Sequence, residues 1–247
     1  MKNIILNCDL MEGFKKLEDN SIDLCVTSPP YNCGIDYDSW DDNKSLEDYL
    51  QWCRGWMTEM KRVLKPDGRF AINHLTAMMT KDGTRVSPQI ELYNILVDVG
   101  LKMNSQALWT DRTLPSLTAW GSWKSASAPY ISSPYEVILI GYKDTWKKEQ
   151  SGINTISKED FMMGVCGLWN IKPETRGLTK ANFPVELPKL CIELLSFQDD
   201  VVLDPFMGSG TTAVACVRTK RNYVGFEISP NYHKIAEDRV AKETLFY

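Results

Sequence analysis

Two short segments of this 247-residue chain carry residue types whose spacing suits chemistry on a bound substrate. The first is Thr27-Ser28-Pro29-Pro30-Tyr31, which closes the mostly apolar run Ile22–Thr27. Two adjacent prolines fix the backbone angle φ and lack N–H donors, so the carbonyls before them are rigid, outward-facing acceptors. Such a segment is either a stiff loop or a place where hydrogen-bond acceptors are aimed at a substrate.

The chemistry that these acceptors suit is methylation of an exocyclic base amine. The lone pair of such an amine is delocalised into the ring. Acceptors for the two amine hydrogens free it and stabilise the positive charge that develops on nitrogen. The Ser28 hydroxyl and the Pro29 carbonyl can be those acceptors, and the Tyr31 ring can stack on a base taken out of a duplex. Direct attack of this kind requires no metal and no covalent nucleophile.

The second segment runs from Asp204 to Thr212 and follows the apolar run Val201–Leu203. Its two glycines permit a tight turn and the close approach of a ligand. A helix that starts near Thr211 would point N–H groups and its positive end at a carboxylate or phosphate. An acidic residue, Glu227, ends the next apolar run twenty-three residues after Asp204, where folds of this kind bind ribose hydroxyls.

Three ligands compete for this turn, besides the alternative of a packing turn without a ligand. ATP is disfavoured because no lysine follows Gly210, as a P-loop requires. A dinucleotide would call for a glycine where Ala213 stands, although that pattern sometimes tolerates alanine. S-adenosylmethionine fits because its cationic sulfonium suits Asp204 and its carboxylate suits the helix N-terminus.

Strands and helices alternate along most of the chain, which predicts a doubly wound, mostly parallel sheet. The expected strands are Asn3–Cys8, Ile22–Thr27, Arg69–Asn73, Ser105–Thr110, Tyr135–Tyr142, Val201–Leu203 and Tyr223–Phe226. The expected helices are Gly13–Leu17, Leu46–Leu64, Pro88–Val99, Pro184–Leu195, Thr211–Thr219 and Pro230–Lys242. The stretch from Lys143 to Asn182 is predicted to be polar and loop-rich.

Composition indicates a globular chain: 43% of the residues are hydrophobic and 24% charged, and no apolar run reaches the ~20 residues that span a bilayer. Seven cysteines, odd in number and never spaced C-x-x-C, favour a reducing cytoplasm over disulfides or zinc. The net charge is −4, and the charged residues are unevenly distributed, because residues 101–180 hold ten Lys/Arg and only seven Asp/Glu. The same region contains five tryptophans: Trp109, Trp120, Trp123, Trp146 and Trp169. This region is either a nucleic-acid surface or a set of core tryptophans with solvated lysines.

Together the two segments resemble the motifs of the beta-class amino-methyltransferases of DNA, which occur in bacterial and phage restriction–modification systems. In that class the catalytic motif comes first, the target-recognition region second and the cofactor motif last, which is the order found here. The resemblance covers nearly the whole chain. It implies an α/β, Rossmann-like S-adenosylmethionine-dependent methyltransferase fold: a mostly parallel twisted sheet with an antiparallel strand, a circularly permuted motif order and an inserted target-recognition region. It also implies a single domain over 1–247, with a catalytic half at 1–105, the recognition region and last sheet strands at about 106–178, and a cofactor-binding half at 179–247.

The same resemblance implies roles for individual residues. The catalytic set is Ser28, Pro29, Pro30 and Tyr31, with no metal. The cofactor set, for S-adenosylmethionine, is Asp9, Thr27, Asp204, Phe206, Gly208, Ser209, Gly210, Thr211, Glu227 and Ile228. Phe183-Pro184 resembles the motif that helps to enclose the methionine end, whereas Thr179–Asn182 departs from the family pattern and is given no role.

Family members that act on adenine N6 mostly carry Asp or Asn where Ser28 stands, whereas serine is typical of cytosine-N4 enzymes. The resemblance therefore implies methyl transfer to cytosine N4 in double-stranded DNA, with adenine N6 as the alternative and RNA as a less favoured substrate. Candidate phosphate contacts are Lys124, Lys143, Lys147, Lys148 and Arg176. A homodimer and a cognate restriction endonuclease stay open as partners, and the expected location is the cytoplasm, away from any membrane.

Overall fold

The computed structural model describes residues 1–79, 83–110, 121–131, 133–173 and 183–246. The strands are β1 (Ile4–Asn7), β2 (Ile22–Thr27), β3 (Leu64–Leu75), β4 (Met78–Met79), β5 (Arg85–Val86), β6 (Lys102–Thr110), β7 (Tyr135–Tyr142), β8 (Leu168–Asn170), β9 (Val201–Asp204) and β10 (Asn222–Glu227). The helices are α1 (Leu10–Phe14), α2 (Leu46–Val63), α3 (Pro88–Asp98), α4 (Lys158–Val165), α5 (Glu186–Leu195), α6 (Thr211–Thr219) and α7 (Pro230–Thr244). Within these ranges, the structure contains no helix both long and apolar enough to cross a bilayer.

Eight of the strands form one sheet in the order β1-β10-β9-β2-β3-β7-β6-β8, while β4 and β5 pair separately. Pairings in the large sheet are parallel except those of β7, which runs antiparallel to both β3 and β6. The prediction of a mostly parallel sheet with an antiparallel strand is confirmed. Parallel strands end at the same side of a sheet, so β1, β10, β9, β2 and β3 share what we call the carboxyl edge.

The central strand β2 explains why helices cover both faces of the sheet. Its six residues are all buried, and from Leu24 to Val26 their side chains alternate between two cores. Leu24 and Val26 pack in the core that contains α5, α6 and α7, whereas Ile22 and Cys25 pack in the core that contains α1, α2 and α3. The sheet is therefore sandwiched between two helical layers, as a doubly wound fold requires.

Helix α2 shows how the sequence specifies one of these layers. The helix starts at an N-cap, Ser45, whose Oγ accepts a hydrogen bond from Asp48 N at 3.1 Å. Acidic residues in the first turn and basic residues in the last turn both oppose the helix dipole. Its buried side chains recur at helical spacing and are Tyr49, Cys53, Trp56, Met57, Met60 and Val63.

Strand β3 begins earlier than predicted, at Leu64 rather than Arg69. Ile22 pairs with Leu64 and Leu24 pairs with Arg69, so the four intervening residues of β3 form a bulge rather than a break between helix and strand. A Cβ on Gly68 would lie 2.9 Å from backbone atoms of Lys65, which is why a glycine occupies this turn.

The prediction of a loop-rich stretch from Lys143 to Asn182 holds over most of its described part but missed two short elements, α4 and β8. Strand β8 pairs with the end of β6 and forms the last strand of the sheet. Trp169 on β8 is buried, and its Nε1 donates to Gly164 O on α4 at 2.9 Å. Both elements were missed because α4 buries only Gly164, so its sequence lacks an apolar stripe. Residues 174–182, including Thr179–Asn182, lie outside the described residues.

Candidate active site

Three adjacent strands bring predicted site residues together at the carboxyl edge. Strand β2 ends at Thr27, β9 at Asp204 and β10 at Glu227. The buried Asp204 carboxylate accepts hydrogen bonds from Thr27 Oγ1 at 2.6 Å, Thr212 Oγ1 at 2.5 Å and Phe206 N at 3.0 Å. Burial raises the pKa of Asp204 to about 6, and the three hydrogen bonds oppose that rise. The carboxylate thus connects the ends of β2 and β9 to the start of α6.

The glycine turn between β9 and α6 adopts left-handed backbone conformations, with φ of 53° at Gly208 and 82° at Gly210. A Cβ on Gly210 would come within 3.0 Å of Ala236 on α7, so close packing also requires glycine there. Gly210 is the N-cap of α6 and offers no side-chain cap to its first N–H groups. Arg239 of α7 donates to Thr211 Oγ1 at 2.9 Å. The turn therefore places the N-terminus of α6, which no side chain caps, beside a guanidinium, a combination that suits an anion.

The carboxylate of Glu227 is held at the end of β10 by one backbone N–H on each oxygen. Its Oε2 accepts from Gly208 N and its Oε1 from Ser229 N, both at 2.8 Å. Burial raises the pKa of Glu227 to about 7, against the effect of the two hydrogen bonds. Each oxygen retains a lone pair for a further donor, so the group can bind a pair of hydroxyls.

A first cavity lies at the ends of β1, β9 and β10, and its roughly 760 Å³ of empty space includes open solvent. Its wall is largely aromatic, because the Trp52 ring lies 4.6 Å from the Trp40 ring and 5.4 Å from the Phe206 ring. An apolar cavity whose wall also carries carboxylates, those of Asp9, Asp38 and Glu227, suits a flat ring joined to a polar sugar. The predicted site residues that line it are Asp9, Ser28, Pro30, Phe206, Gly208, Glu227 and Ile228.

The segment from Asn32 to Lys44 forms one wall of the first cavity. Asp42 accepts three backbone N–H groups at the start of this segment, at 2.7, 3.0 and 3.1 Å. Asp38 accepts hydrogen bonds from Ser229 Oγ and from Asn231 Nδ2 and so joins the segment to the start of α7. Its contributions to the cavity, which the sequence did not indicate, are Tyr37, Asp38, Ser39 and Trp40.

A second cavity of about 900 Å³ adjoins the first. The residues that line both cavities are Ser28, Tyr37, Phe206 and Gly208, so Ser28 lies at the junction. Predicted residues that line only the second cavity are Pro29, Tyr31, Ser209 and Thr211. The cavity is completed by residues at the end of β3, at the end of β6, at the start of β7 and just before α5. These residues are Asn73, Leu75, Trp109, Glu136 and Phe183.

Four polar side chains form one hydrogen-bonded network in the second cavity. Tyr31 Oη donates to Glu136 Oε2 at 2.9 Å and lies 2.7 Å from Ser28 Oγ. Asn73 Nδ2 donates to Tyr31 Oη at 2.9 Å and to Glu136 Oε2 at 2.6 Å. Because the single Tyr31 proton goes to the carboxylate, Ser28 is the donor in its bond to Tyr31. The lone pairs of Ser28 Oγ therefore stay available to a substrate.

A second chain of hydrogen bonds holds the proline loop from behind. Tyr49 Oη donates to Pro30 O at 2.8 Å and lies 2.9 Å from His74 Nε2. Burial lowers the pKa of His74 to about 4, so the imidazole is neutral. Because the Tyr49 proton goes to Pro30, we place the imidazole proton on Nε2, and the 3.2 Å approach of Nδ1 to Leu75 O then carries no proton. The His74 ring also lies 4.5 Å from the Tyr31 ring. Pro30 thus lines the first cavity with its carbonyl already engaged.

The structure brings eleven of the fourteen predicted site residues to the cavity walls and leaves Thr27, Asp204 and Gly210 behind them. The sequence placed Asp204 beside a sulfonium, but its carboxylate oxygens are taken up by two hydroxyls and a backbone N–H. A direct contact between Asp204 and a cofactor therefore stays a prediction. The geometry supports an indirect role in forming the cofactor site, in which Asp204 holds Thr27 and the start of α6 in place.

Sequence reasoning missed Asn73 and Glu136, which approach Tyr31 only because β3, β7 and β2 are near neighbours in the sheet. A signal existed in the sequence, since both are polar residues attached to apolar strand segments. Asn73 follows three buried residues of β3, and Glu136 precedes five buried residues of β7. Arg239 carried no comparable signal, because α7 is polar along most of its length.

The aromatic, basic middle region divides between core and surface. Trp109 and Trp169 are buried, whereas Trp123 is 66% exposed with the Lys124 ammonium 5.6 Å from its ring centroid. Trp123 lies in the segment between the end of β6 and the start of β7, and both of these strand termini are at the carboxyl edge. Trp120 and Arg176 lie outside the described residues.

Two of the candidate phosphate contacts lie on the side of the sheet opposite the cavities. Lys143 and Lys148 follow the end of antiparallel β7, at the edge of the sheet opposite Ser28. Lys143 Nζ donates to Leu64 O at 2.8 Å, and Lys148 Nζ lies 3.7 Å from Asp200 Oδ2. The prediction for these two lysines is wrong, because protein oxygens already bind their ammonium groups.

An open, mostly parallel sheet whose glycine turn, acidic strand end and proline loop meet at one edge defines the Rossmann-like, S-adenosylmethionine-dependent methyltransferase fold. Solved structures share it. One is a protein of Thermus thermophilus, described as a putative DNA modification methylase and complexed with S-adenosylmethionine; it has a TM-score of 0.78 and 26% identity, over 98% of this chain and 95% of that one. The cytosine-N4-specific PvuII DNA methyltransferase has a TM-score of 0.72 over 99% of this chain and 92% of its own, and its 21% identity bears on the fold alone.

Within that fold, the chain belongs to the DNA methylase family that comprises N6 and N4 methyltransferases, whose model matches residues 22–238. The Type II methyltransferase M.MjaVI of Methanocaldococcus jannaschii is 40% identical over 161 residues, which are 65% of this chain and 81% of the relative. The Type II methyltransferase M.HpaI of Haemophilus parainfluenzae is 29% identical over 258 residues, which are 98% of this chain and 76% of the relative. The family assigned from the two motifs is confirmed.

Proposed function

We propose that this DNA methylase transfers the methyl group of S-adenosylmethionine to the N4 amine of cytosine in double-stranded DNA. The observation that carries the proposal is the position of Ser28 at the junction of the two cavities. Its hydroxyl donates to Tyr31 Oη, so its lone pairs are available to accept from an amine. A hydroxyl held as an acceptor beside the cavity that would hold the cofactor is what an attacking amine requires.

In this proposal the first cavity binds the adenosyl part of the cofactor. Glu227 accepts the ribose hydroxyls on its two oxygens, and Phe206 and Ile228 pack against the adenine. The methionine carboxylate points at the glycine turn, where the first N–H groups of α6 and the guanidinium of Arg239 favour an anion. When bound, the cofactor supplies an electrophilic methyl group on its sulfonium sulfur.

The second cavity binds the target base after it has left the duplex. The amine donates one hydrogen to Ser28 Oγ and the other to the Pro29 carbonyl, and these acceptors stabilise the charge that grows on nitrogen. Tyr31, Trp109 and Phe183 form flat apolar walls that suit a base. Unstacking the base from the duplex costs a few kcal/mol, which contacts of this kind offset.

The N6 amine of adenine is the alternative target, because the same two acceptors fit either amine. The second cavity is also large enough for either base. What favours cytosine is Ser28 itself, since serine at this position is typical of N4 enzymes. The exposed pair Trp123 and Lys124 supports a nucleic-acid substrate, and DNA as the polymer is supported by the family, whose model describes a DNA methylase. A homodimer and a cognate endonuclease stay predictions.

The test is mass spectrometry of nucleosides from unmethylated plasmid that has been incubated with the protein and S-adenosylmethionine. N4-methylcytosine would support the proposal. N6-methyladenine would overturn the choice of base while leaving the loop chemistry intact. No methylated base from a protein that binds the cofactor would overturn DNA as the substrate. Ser28→Ala should lower the yield by about 10²-fold or more, whereas the matched control Ser151→Ala, an exposed residue after β7, should keep it.

A further inference from the structure

The proposed reaction leaves a proton that must be removed from the product. The amine nitrogen forms a bond to the methyl carbon while the carbon–sulfur bond of the cofactor breaks, and the nitrogen then carries one proton too many. A serine hydroxyl is too weak a base to keep that proton, so a stronger acceptor hydrogen-bonded to Ser28 through the protein would assist its removal. The second cavity contains one carboxylate in hydrogen-bonded connection with Ser28, that of Glu136.

We propose that Ser28, Tyr31 and Glu136 form a proton relay from the amine to the Glu136 carboxylate. The inference rests on the proposed methyl transfer but not on the choice of base. As the amine proton passes to Ser28 Oγ, the Ser28 proton passes to Tyr31 Oη and the Tyr31 proton passes to Glu136 Oε2. Ser28 and Tyr31 each gain one proton and lose one, and Glu136 ends as a neutral carboxylic acid.

The geometry fits the relay at both of its steps. The Ser28–Tyr31 oxygens are 2.7 Å apart and the Tyr31–Glu136 oxygens 2.9 Å, both within hydrogen-bond distance. The direction of the two bonds is set by the carboxylate, which can only accept while it is ionised. Asn73 Nδ2 donates to both Tyr31 Oη and Glu136 Oε2 and so fixes the distance between them. Every proton in the chain therefore already points toward Glu136.

The surroundings of Glu136 favour proton uptake and later release. Its neighbours across the sheet, Trp109 on β6 and Leu75 on β3, carry no charge, and the nearby His74 is neutral. Burial raises the pKa of Glu136, which makes it a stronger proton acceptor than an exposed glutamate, while Tyr31 and Asn73 oppose the rise by hydrogen bonding. Glu136 is half-buried and lines the cavity, so water can remove the proton once the base has left.

The test compares the wild type with Glu136→Gln in single-turnover methylation at saturating duplex DNA and S-adenosylmethionine. Glutamine keeps an oxygen that can accept from Tyr31 and Asn73 but cannot take up the proton. We expect the rate to fall by about 10²-fold. The wild-type rate should also decline as the pH is lowered through the pKa of Glu136, because a protonated carboxyl cannot accept, and the variant should lack this decline. Glu149→Gln, an exposed residue after β7, is the matched control and should keep both the rate and the pH profile.

A purely structural network would give a different result. Tyr31→Phe keeps the ring but breaks the relay, so Tyr31→Phe combined with Glu136→Gln should be no slower than the slower single variant, because both remove the same pathway. Glu136→Asp, which restores a carboxylate, should recover part of the methylation rate. It should also recover the decline of that rate at low pH. Equal cofactor affinity in all variants would show that each has folded. The relay would be overturned if the rate losses of the two single variants multiplied in the double variant, or if Glu136→Gln kept the wild-type pH profile. In either case methylation by the wild type would still support the proposed function. An inactive wild type would overturn both.

Discussion

Replacing Glu227 with glutamine tests how the first cavity would hold its ligand. Each oxygen of the Glu227 carboxylate accepts one backbone N–H, from Gly208 and from Ser229, at 2.8 Å. Glutamine presents one oxygen and one NH2 group, so one of these backbone N–H groups would face a donor instead of an acceptor. The variant would also lack the charge to which the ribose hydroxyls donate in the proposed complex.

We expect S-adenosylmethionine to bind Glu227→Gln about 10- to 100-fold more weakly. A hydrogen bond to a charged group contributes about 1.5–3 kcal/mol, and about 1.4 kcal/mol corresponds to tenfold in Kd. The wild type should show a pH dependence that the variant lacks. Burial raises the pKa of Glu227 to about 7, and hydroxyl donors favour the ionised form, so wild-type affinity should decline as the pH falls below about 7.

Isothermal titration calorimetry of S-adenosylmethionine between about pH 6 and pH 8, across the raised pKa, measures both effects. Comparing the two proteins at each pH cancels the titration of the ligand itself. Glu18→Gln, an exposed residue after α1, is the matched control and should bind as the wild type does. A variant whose Kd stays within about twofold of the wild type at every pH, less than half a kcal/mol, would refute the assignment of Glu227 to the ribose.

The remaining predictions concern the buried strand end and the DNA-facing edge. Thr212→Val removes the hydroxyl that donates to Asp204 at 2.5 Å. We expect the free energy of unfolding to fall by about 1–3 kcal/mol above the Asp204 pKa of about 6, and by less below it, where the carboxyl is protonated. Denaturant unfolding at two pH values checks this, and an equal loss at both would contradict it. Lys124→Ala should reduce the salt slope of duplex DNA binding by about 1, whereas Lys147→Ala, on the opposite edge, should leave it unchanged; equal slopes would contradict the assigned edge.

The parts of the fold that could be predicted are those whose sequence pattern comes from burial on the sheet. Strand β2 is buried on both faces and is followed by two prolines, so the sequence predicts both that it is a strand and where it ends. Helix α4 and strand β8 were missed because one buries a single glycine and the other a single tryptophan, Trp169. The start of β3 was missed because Pro66-Asp67-Gly68 is typical of a turn, and only pairing across the sheet turns it into a bulge.

The site could be predicted where its residues are contiguous and not where they meet through the sheet. The proline loop and the glycine turn are local, and most of their residues line the cavities. Thr27 and Asp204 are 177 residues apart, and no local sequence pattern indicates that the threonine hydroxyl donates a hydrogen bond to the Asp204 carboxylate. In the same way, the contact of Tyr31 with Glu136 depends on the order β2-β3-β7, which motif spacing does not encode.

The sequence presents Asp204, Glu227 and Glu136 as three acids at strand ends, and burial raises the pKa of each. What separates them is the number of hydrogen-bond positions that the protein leaves unfilled. Asp204 accepts hydroxyl hydrogen bonds on both oxygens and a backbone N–H as well, which supports a role in holding β2, β9 and α6 together. Glu227 receives one backbone N–H on each oxygen, which leaves a matched pair of positions that suits two adjacent hydroxyls. Glu136 receives both of its donors on Oε2, one of them a tyrosine in contact with Ser28, so its remaining capacity suits a proton rather than a ligand. Three carboxyl groups at one edge can therefore perform three different tasks, because their donors, rather than their acidity, differ.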